Sequence, residues 1–241
     1  MKSAATAPGR SPSSNLAYSR AVDGALDALF GLNDGAATEL LFVRHGEPAY
    51  SAAEKHGHDD PSLSERGRFQ TIRLAMRMRR IDVEAVYTST ARAAIETATL
   101  VAASRDLPVV RAPQLRDIAL HPAALNGSAN DRRKLQAEVR VQLINRPRWD
   151  ALRGVEPTRQ FRHRIVQAIE AIAARHPGSR VVVVTHQPVI NAYISMVLGI
   201  ERDMFFQPEF TSISAVRILR DLYAVQSIND QAHLLPTFAP R

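Results

Sequence analysis

Four consecutive valines, Val181 to Val184, constrain the fold of this chain more than any other stretch. A strand that is apolar at every position has no side for solvent, so both of its faces must be covered, as in a central parallel strand. The run passes directly into Thr185-His186-Gln187-Pro188, and Pro188 suits the first turn of a helix. The stretch therefore predicts a buried strand that delivers His186 to a helix N-terminus, where unpaired N–H groups favour an anion.

A second apolar run ends in a similar way. Leu40 to Val43 are followed by Arg44-His45-Gly46-Glu47-Pro48, in which the glycine and the proline favour a turn. We interpret the run as a buried strand with Arg44 and His45 at its carboxyl end. In an open parallel sheet, the carboxyl ends of the strands form the edge at which ligands bind.

Strands and helices alternate along the chain between these two runs. After the first strand, a helix is predicted from Ser62 or Ser64 to about Arg80, with an apolar face directed at the core and formed by Phe69, Ile72 and Met76. Strands at 83–88 and 109–110 flank a helix over about 93–104, and apolar residues from Phe161 to Ile172 mark a further helix that Pro177-Gly178 terminates. The alternation predicts a three-layer α/β/α sandwich with a mostly parallel central sheet, to which the C-terminal part adds one or two strands.

The domain boundaries follow from composition. Residues 1–38 form an N-terminal extension with an Ala/Ser/Pro-rich start, and within it Leu16 to Leu32 has helical spacing of Leu26, Leu29 and Phe30 and is predicted to dock as a short helix. Residues 39–235 form the domain, from which 119–158 departs as an excursion that partly covers the site. Residues 236–241 form a tail.

Composition limits the classes of function. With 45% hydrophobic and 23% charged residues and no cysteine, the chain is typical of a soluble globular protein, and thiolate sites are excluded. Its net charge of +7 favours phosphorylated partners. The basic residues are scattered without an aromatic series, and no apolar run could span a bilayer, so we expect no nucleic acid and no membrane partner. Lys2 is not followed by an apolar signal region, and we expect a cytoplasmic protein.

Three predicted strand ends bring polar groups to one edge of the sheet: Arg44 and His45, then Arg92, then His186. Guanidinium groups bind phosphate oxygens, and imidazoles act as nucleophiles or proton carriers, so together they predict a phosphoryl pocket. Taken singly, each residue has a structural alternative, because a lone histidine at a strand end often only donates a hydrogen bond. A loop with His56, His58, Asp59 and Asp60 raises the alternative of a metal site, although we expect it to be a solvated loop and expect no metal.

The motifs resemble those of the histidine phosphatase superfamily, also called the phosphoglycerate mutase-like family. Arg44-His45-Gly46-Glu47 resembles its signature after a hydrophobic strand, and Leu63 to Gly67 resembles its "LTERG" helix start. Tyr87 to Ala98 is similar to its "YSSPLRRARQTA" segment, and Val181 to Gln187 is similar to its second-histidine strand. The resemblance covers most of residues 39–235, with the four segments in the family's order.

The resemblance implies a role for each matching residue. His45 would be the nucleophile, while Arg44, Arg92 and His186 would hold the phosphoryl oxygens. Asp117 would be the general acid, one methylene shorter than the family's usual glutamate, and Ala119-Leu120-His121-Pro122 stands where "G-x-x-EG" often follows. Glu47 is a nearby alternative acid that is more often structural. Gln187 replaces a common glycine and is assigned to substrate binding, and no cofactor is implied.

These assignments predict a metal-independent phosphomonoester hydrolase that acts through a phosphohistidine on His45. Its substrate would be a phosphorylated small molecule or phosphoprotein, and the oligomeric state is left open. Two alternatives remain. One is a mutase-type phosphotransferase, and the other is a phospho-ligand binding protein that lacks competent acid catalysis, a possibility raised by the departures at Asp117 and Ala119.

Overall fold

A six-stranded sheet lies at the centre of the computed structural model, which describes residues 37–49, 60–119, 141, 148–149 and 155–235. The strands are β1 (Thr38–Arg44), β2 (Ala85–Thr88), β3 (Val109–Arg111), β4 (Arg180–Thr185), β5 (Ile213–Leu219) and β6 (Leu222–Asp230). Their order across the sheet is β3-β2-β4-β1-β5-β6. β1 to β4 pair in parallel, and β5 and β6 add an antiparallel hairpin beside β1.

The valine strand occupies the position predicted for it. β4 lies between β1 and β2, and Val181 to Val184 have no accessible surface. The register pairs Val43 with Val184 and Arg44 with Thr185, so β1 and β4 end at the same level. This alignment carries the residues that follow each strand, His45 and His186, to the same edge of the sheet.

Helices cover both faces, as the sandwich prediction requires. They are α1 (Glu65–Met78), α2 (Arg92–Ala103), α3 (Thr158–Arg175) and α4 (Gln187–Val197). Leu41 and Val43 face one core cluster with side chains of α1 and α2, whereas Leu40 and Phe42 face the other with side chains of α3 and α4. The alternation along β1 therefore separates two cores on opposite sides of the sheet.

The predicted core face of α1 is wrong. Phe69, Ile72 and Met76 are 61%, 50% and 57% exposed, and the buried side of the helix consists of Gly67, Gln70, Thr71, Leu74 and Met78. Gly67 lies against the Glu47 backbone that follows β1, where a Cβ would be only 2.0 Å from the carbonyl oxygen. That contact fixes the rotation of the helix, which buries Leu74 and Met78 and turns Phe69, Ile72 and Met76 to solvent.

Several sequence predictions lie outside the described residues. They are the docking helix at 16–32, most of the excursion at 119–158, the loop with His56, His58 and Asp59, and the tail at 236–241. Within the part of the chain that the structure describes, no helix has the length and apolar character needed to cross a bilayer.

Candidate active site

His45 lies directly after β1, in the continuation of its pairing with β4. Its backbone N–H donates to the Thr185 carbonyl at 3.0 Å, and its side chain is buried, with 8% of the residue exposed. The ring Nδ1 lies 2.8 Å from the Gly46 carbonyl. Because a carbonyl can only accept, Nδ1 carries the hydrogen, and in the neutral ring Nε2 then holds a lone pair. A fixed ring with one unprotonated nitrogen is what a nucleophilic histidine requires.

His186 stands next to His45, with ring centroids 5.0 Å apart in an edge-on arrangement. Its Nε2 lies 2.8 Å from the hydroxyl oxygen of Ser89, which directly follows β2 and also accepts the Ala91 N–H at 3.3 Å. Both His186 and Ser89 are buried. When the Ser89 hydroxyl donates to Nε2, the Nδ1 of His186 carries the hydrogen and is available as a donor.

Arg44 is held from two sides by the segment that precedes β5. Its Nη1 donates to the Pro208 carbonyl at 2.7 Å, and its guanidinium lies 3.8 Å from the centre of the Phe210 ring. The carbonyl of Arg44 accepts the Thr211 N–H at 2.9 Å, and Thr211 has a φ of 61°. A β-branched residue is strained in the left-handed region, so the surrounding contacts must offset the cost of holding Thr211 in this conformation beside Arg44.

Asp117 lies beside His186. Its Oδ2 is 3.9 Å from Nδ1 of His186, while its Oδ1 accepts the Ile118 N–H at 2.7 Å. A short 3₁₀ turn, Pro113–Leu115, sets this position, because the Leu115 carbonyl accepts the hydroxyl of Thr185 at the end of β4 at 2.8 Å. The shorter arm of an aspartate therefore does not keep the carboxylate out of the pocket.

Arg92 is placed differently from the other predicted site residues. It begins α2, its side chain is 64% exposed, and its Nε lies 3.3 Å from Glu96. Its backbone N–H donates to Asp60 at 2.8 Å, so one member of the proposed metal cluster serves as a cap for α2. Among the described residues, no group of three or more His, Cys, Asp or Glu side chains is arranged to hold a metal ion.

Gln187 begins α4 immediately after His186, and its carbonyl accepts the side-chain amide of Asn191 at 3.1 Å. The side chain of Gln187 is partly buried. The N-terminal residue of α4 has no side-chain cap, and Pro188 occupies the first turn. The assignment of Gln187 to substrate binding stays a prediction.

Two glycines allow the loop after β1 to pack against α1. A Cβ on Gly67 would lie 2.0 Å from the Glu47 carbonyl oxygen, and one on Gly46 would lie 2.7 Å from the Thr71 hydroxyl and 2.8 Å from the Gly67 carbonyl oxygen. The Gly46 N–H donates to Thr97 of α2 at 3.0 Å. The His45 backbone is thus fixed between two helices at distances that only glycine permits.

Glu47 holds this loop to α1. Its backbone N–H donates to Gln70 at 3.1 Å, its carbonyl accepts the Ser64 N–H at 2.9 Å, and its carboxylate accepts the Ser64 hydroxyl at 3.2 Å. Ser64 in turn caps α1 by accepting the Gly67 N–H at 2.9 Å. These contacts are structural, which is the alternative that the sequence favoured for Glu47.

The charge states of the pocket are set by burial and by arginines. Burial lowers the pKa of His45 to about 3, and repulsion from His186 and Arg44 acts in the same direction. Burial is also the main reason why the pKa of His186 is lowered to about 3, and the positive charges of Arg116, Arg44 and Arg164 act in the same direction. Both rings are therefore neutral near pH 7. The pKa of Asp117 is raised because the pocket withdraws it from water, although 52% of its side chain is accessible.

Sequence reasoning missed three parts of the site. Ser89 lies in the Tyr87 to Ala98 segment, where the resemblance implies a role only for Arg92. Arg116 directly precedes Asp117 and has no implied role, and Phe210 lies in an irregular segment. Arg116 donates to Thr90 at 3.2 Å, and its charge helps to keep His186 neutral. Of the three, only Ser89 has a sequence signal, because it directly follows the predicted strand at 83–88 and so lies at the edge where the other site residues lie.

Comparison with known proteins gives one consistent result. The sequence profile of the histidine phosphatase superfamily (branch 1) matches residues 40–231. Phosphoglycerate mutase-like protein 4 of Arabidopsis thaliana is 30% identical over 217 residues, which cover 88% of this chain and 93% of that protein. The metal-independent phosphoserine phosphatase of the same plant is 28% identical over 203 residues, covering 82% and 83%. Among solved structures, Bacillus stearothermophilus YhfR has a TM-score of 0.69 at 27% identity, covering 81% of this chain and 98% of that one.

Proposed function

Because this chain belongs to the histidine phosphatase superfamily, as its motifs predicted, we propose that it hydrolyses a phosphomonoester through a phosphohistidine on His45. One observation carries the proposal. His45 is buried and neutral, with Nδ1 held by the Gly46 carbonyl and a lone pair left on Nε2. A structural histidine could satisfy Nδ1 in the same way, but it would not need a second neutral histidine, an arginine and an accessible carboxyl group around it.

In the first step, the Nε2 lone pair attacks phosphorus and the bond from phosphorus to the ester oxygen breaks. Asp117 gives its proton to the leaving oxygen, for which its raised pKa is suited. Arg44 and His186 donate to the non-bridging oxygens, whose negative charge they stabilise. In the second step, Asp117 takes a proton from water, the water oxygen attacks phosphorus, and the phosphorus–nitrogen bond breaks. The products are an alcohol, inorganic phosphate and the free enzyme.

We further propose that Arg92 and Gln187 contribute to substrate binding. Arg92 is exposed and, within the described part of the chain, its guanidinium pairs across one helical turn with Glu96, so an anionic substrate can compete for it. The first turn of α4, which Gln187 begins, presents N–H groups to the same edge of the sheet. These contributions would lower KM more than they raise kcat.

The substrate class that we propose is a small phosphomonoester, and the chemistry is metal-independent. One relative is named a metal-independent phosphoserine phosphatase, which makes phosphoserine a natural member of the first test panel. The net charge of +7 favours such anionic substrates. Phosphoproteins with an accessible phosphoryl group remain within the same chemistry.

A mutase is the second candidate, because a relative covering 88% of this chain is named phosphoglycerate mutase-like. The two activities share the phosphohistidine and differ in the acceptor. A hydrolase passes the phosphoryl group to water, and a mutase returns it to a bound substrate. Incorporation of solvent oxygen into phosphate supports the hydrolase, and transfer to an added phosphoglycerate supports the mutase.

The test is turnover of an aryl phosphate and of phosphoserine by the purified chain in the presence of a chelator. We expect turnover that the chelator does not change, and a loss of roughly 1,000-fold or more in His45→Asn. His163→Asn is the matched control, since His163 is exposed on α3. Full activity in His45→Asn would contradict the covalent mechanism. Phosphate binding without any turnover would instead indicate the non-catalytic alternative.

A further inference from the structure

An apolar surface of α1 faces solvent directly opposite the side that packs on the sheet. We call Phe69, Ile72 and Met76 the α1 stripe. They follow one another at spacings of three and four residues, so they form one continuous ridge along the helix. Each is at least 50% exposed, whereas Leu74 and Met78 on the opposite side have no accessible surface. Such a ridge on a helix that is already packed indicates a second contact surface.

Arginines border the α1 stripe. Arg66 and Arg68 lie at its N-terminal end and Arg79 and Arg80 at its C-terminal end, and all four are exposed. The side chain of Arg66 is 75% exposed and that of Arg68 is 62% exposed, although each lies near a glutamate. A second copy of the same face would bring like charges together. The surface therefore suits an acidic amphipathic partner.

The chain itself contains a segment of that kind. Residues 16–32 include Asp23 and Asp27 and a single basic residue, Arg20, and Leu26, Leu29 and Phe30 have helical spacing. This is the segment predicted to dock as a short helix, and it lies outside the described residues. We propose that residues 16–32 form an amphipathic helix that packs on the α1 stripe, with its aspartates against the bordering arginines.

The length and the direction of the chain permit this contact. Arg180 pairs with Glu39 at the start of β1 and donates to the Asp82 carbonyl at 3.2 Å, so β1 begins beside the end of α1. The proposed helix ends at Leu32, and the five chain steps from Leu32 to Ala37 span at most about 18 Å. A second helix layer has its axis roughly 18 Å from the sheet, and its nearer Cα atoms lie about 2 Å closer. The segment can therefore reach over α1 without opening the domain.

The test is a disulfide between engineered cysteines, for which the absence of native cysteine removes the background. We expect Phe30→Cys with Met76→Cys to form an intramolecular disulfide in the full chain at low protein concentration. The matched control is Phe30→Cys with Leu222→Cys. Leu222 and Met76 are equally exposed, at 57%. Leu222 also lies close to the start of β1, because it follows the end of β5 that pairs with Thr38. If tether length alone decided, the cross-link to Leu222 would therefore form more readily. Docking predicts roughly tenfold more cross-link at Met76 than at Leu222.

Three results would overturn the proposal. Equal cross-linking at both positions, or none at either, would show that the segment does not select α1. A disulfide between two chains through Met76→Cys would assign the α1 stripe to a second copy. Binding to anionic vesicles that is lost in Ile72→Asp, without the intramolecular cross-link, would assign the stripe to a lipid surface.

Trypsin cleavage after Arg20 gives a second measurement that needs no cysteine. Arg20 lies inside the segment, so docking protects its bond. We expect Ile72→Asp to speed this cleavage several-fold and Leu222→Asp to leave it unchanged, while turnover stays at the wild-type level in both. Unchanged cleavage in Ile72→Asp would contradict docking. Neither the cross-link nor the cleavage rate depends on the proposed reaction, so a negative result for docking would leave the proposed phosphatase activity untouched, and the reverse.

Discussion

At His45, local structure supplies what the chemistry needs before any substrate binds. The Gly46 carbonyl fixes the ring, and burial lowers the pKa of the imidazole to about 3. A histidine in water is half protonated near pH 6.5, which would block attack at acidic pH. In this pocket, His45 keeps its lone pair at pH values well below 6.5, so its protonation does not lower the activity of the free enzyme in that range. The acid limb of the pH profile is therefore expected to arise from other groups.

Asp117 is expected to control the basic limb. It must be protonated for the first step, so kcat/KM falls as pH rises through its raised pKa. Asp117→Asn should remove this limb and lower kcat on alkyl phosphates roughly 100-fold or more, with a smaller loss on aryl phosphates, whose leaving groups need little acid.

The measurement is a pH profile of both enzymes on the same pair of substrates, so that substrate ionisation cancels. Asp221→Asn is the matched control, because Asp221 is an exposed aspartate in the turn between β5 and β6. An unchanged profile in Asp117→Asn would assign the acid role to another group.

Ser89 is expected to act through His186. Ser89→Ala leaves the buried Nε2 of His186 without its partner, and an unsatisfied buried group costs about 1–3 kcal/mol. We expect kcat/KM to fall roughly tenfold and the nitrogen chemical shifts of the His186 ring to show a mixture of tautomers. Thr99→Ala, which removes an exposed hydroxyl that donates to the Ile95 carbonyl of α2, should change neither quantity. Unaltered shifts in Ser89→Ala would mean that the serine does not orient the ring.

At the scale of elements, the central strands follow from sequence because fully apolar runs leave few alternatives. Val181 to Val184 specify a covered strand, and the polar residues at its end specify the edge that carries the site. Which face of α1 is buried cannot be predicted from its own sequence in this way. Its rotation depends on a contact between the Gly67 position and the Glu47 backbone, which involves partners distant in sequence and no large apolar side chain.

The site residues also divide into those that a sequence pattern predicts and those that depend on contacts distant in sequence. Arg44, His45 and His186 were predictable because each ends an apolar strand. Phe210 and the Pro208 carbonyl were not, since their segment has no regular pattern and reaches Arg44 only through the antiparallel return of β5. Arg92 is on the expected turn, but its pairing with Glu96 depends on a side-chain conformation that spacing alone does not determine.

Gly67→Ala tests the contact that fixes α1. The new Cβ would lie 2.0 Å from a backbone oxygen that cannot rotate away, so we expect a loss of more than about 3 kcal/mol in the free energy of unfolding, or a displaced loop with low activity. Gly199→Ala is the control, because it has open space but a φ of 65°, and its cost should be about 1–2 kcal/mol. Equal losses in a urea titration would contradict the steric account.

At the scale of the whole molecule, the groups that prepare the site also make the fold sensitive to acid. Burial lowers the folded-state pKa of His45 and His186 to about 3 and that of His233 to about 4. The unfolded chain binds these protons near pH 6.5, so the free energy of unfolding should fall as pH drops from about 6.5 toward 3.

Urea titrations at several pH values measure this dependence. The hydrogen bond from Arg77 lowers the pKa of Asp230 to about 2, so the free energy of unfolding should fall further below about pH 4. His45→Asn should make the dependence shallower between pH 6 and 4, because one buried imidazole is gone. Stability that is constant over this range would show that the imidazoles gain protons in the folded state as easily as in water.

The most direct test of the central claim is to trap the covalent intermediate and locate the phosphoryl group. The chain is mixed with a labelled aryl phosphate, quenched in alkali, digested and analysed by mass spectrometry, with Asp117→Asn included because loss of its base should make the intermediate accumulate. We predict an alkali-stable, acid-labile phosphoryl group on His45, and none in His45→Asn. Turnover that proceeds with the label on another residue, or with no labelled protein at all, would contradict the account.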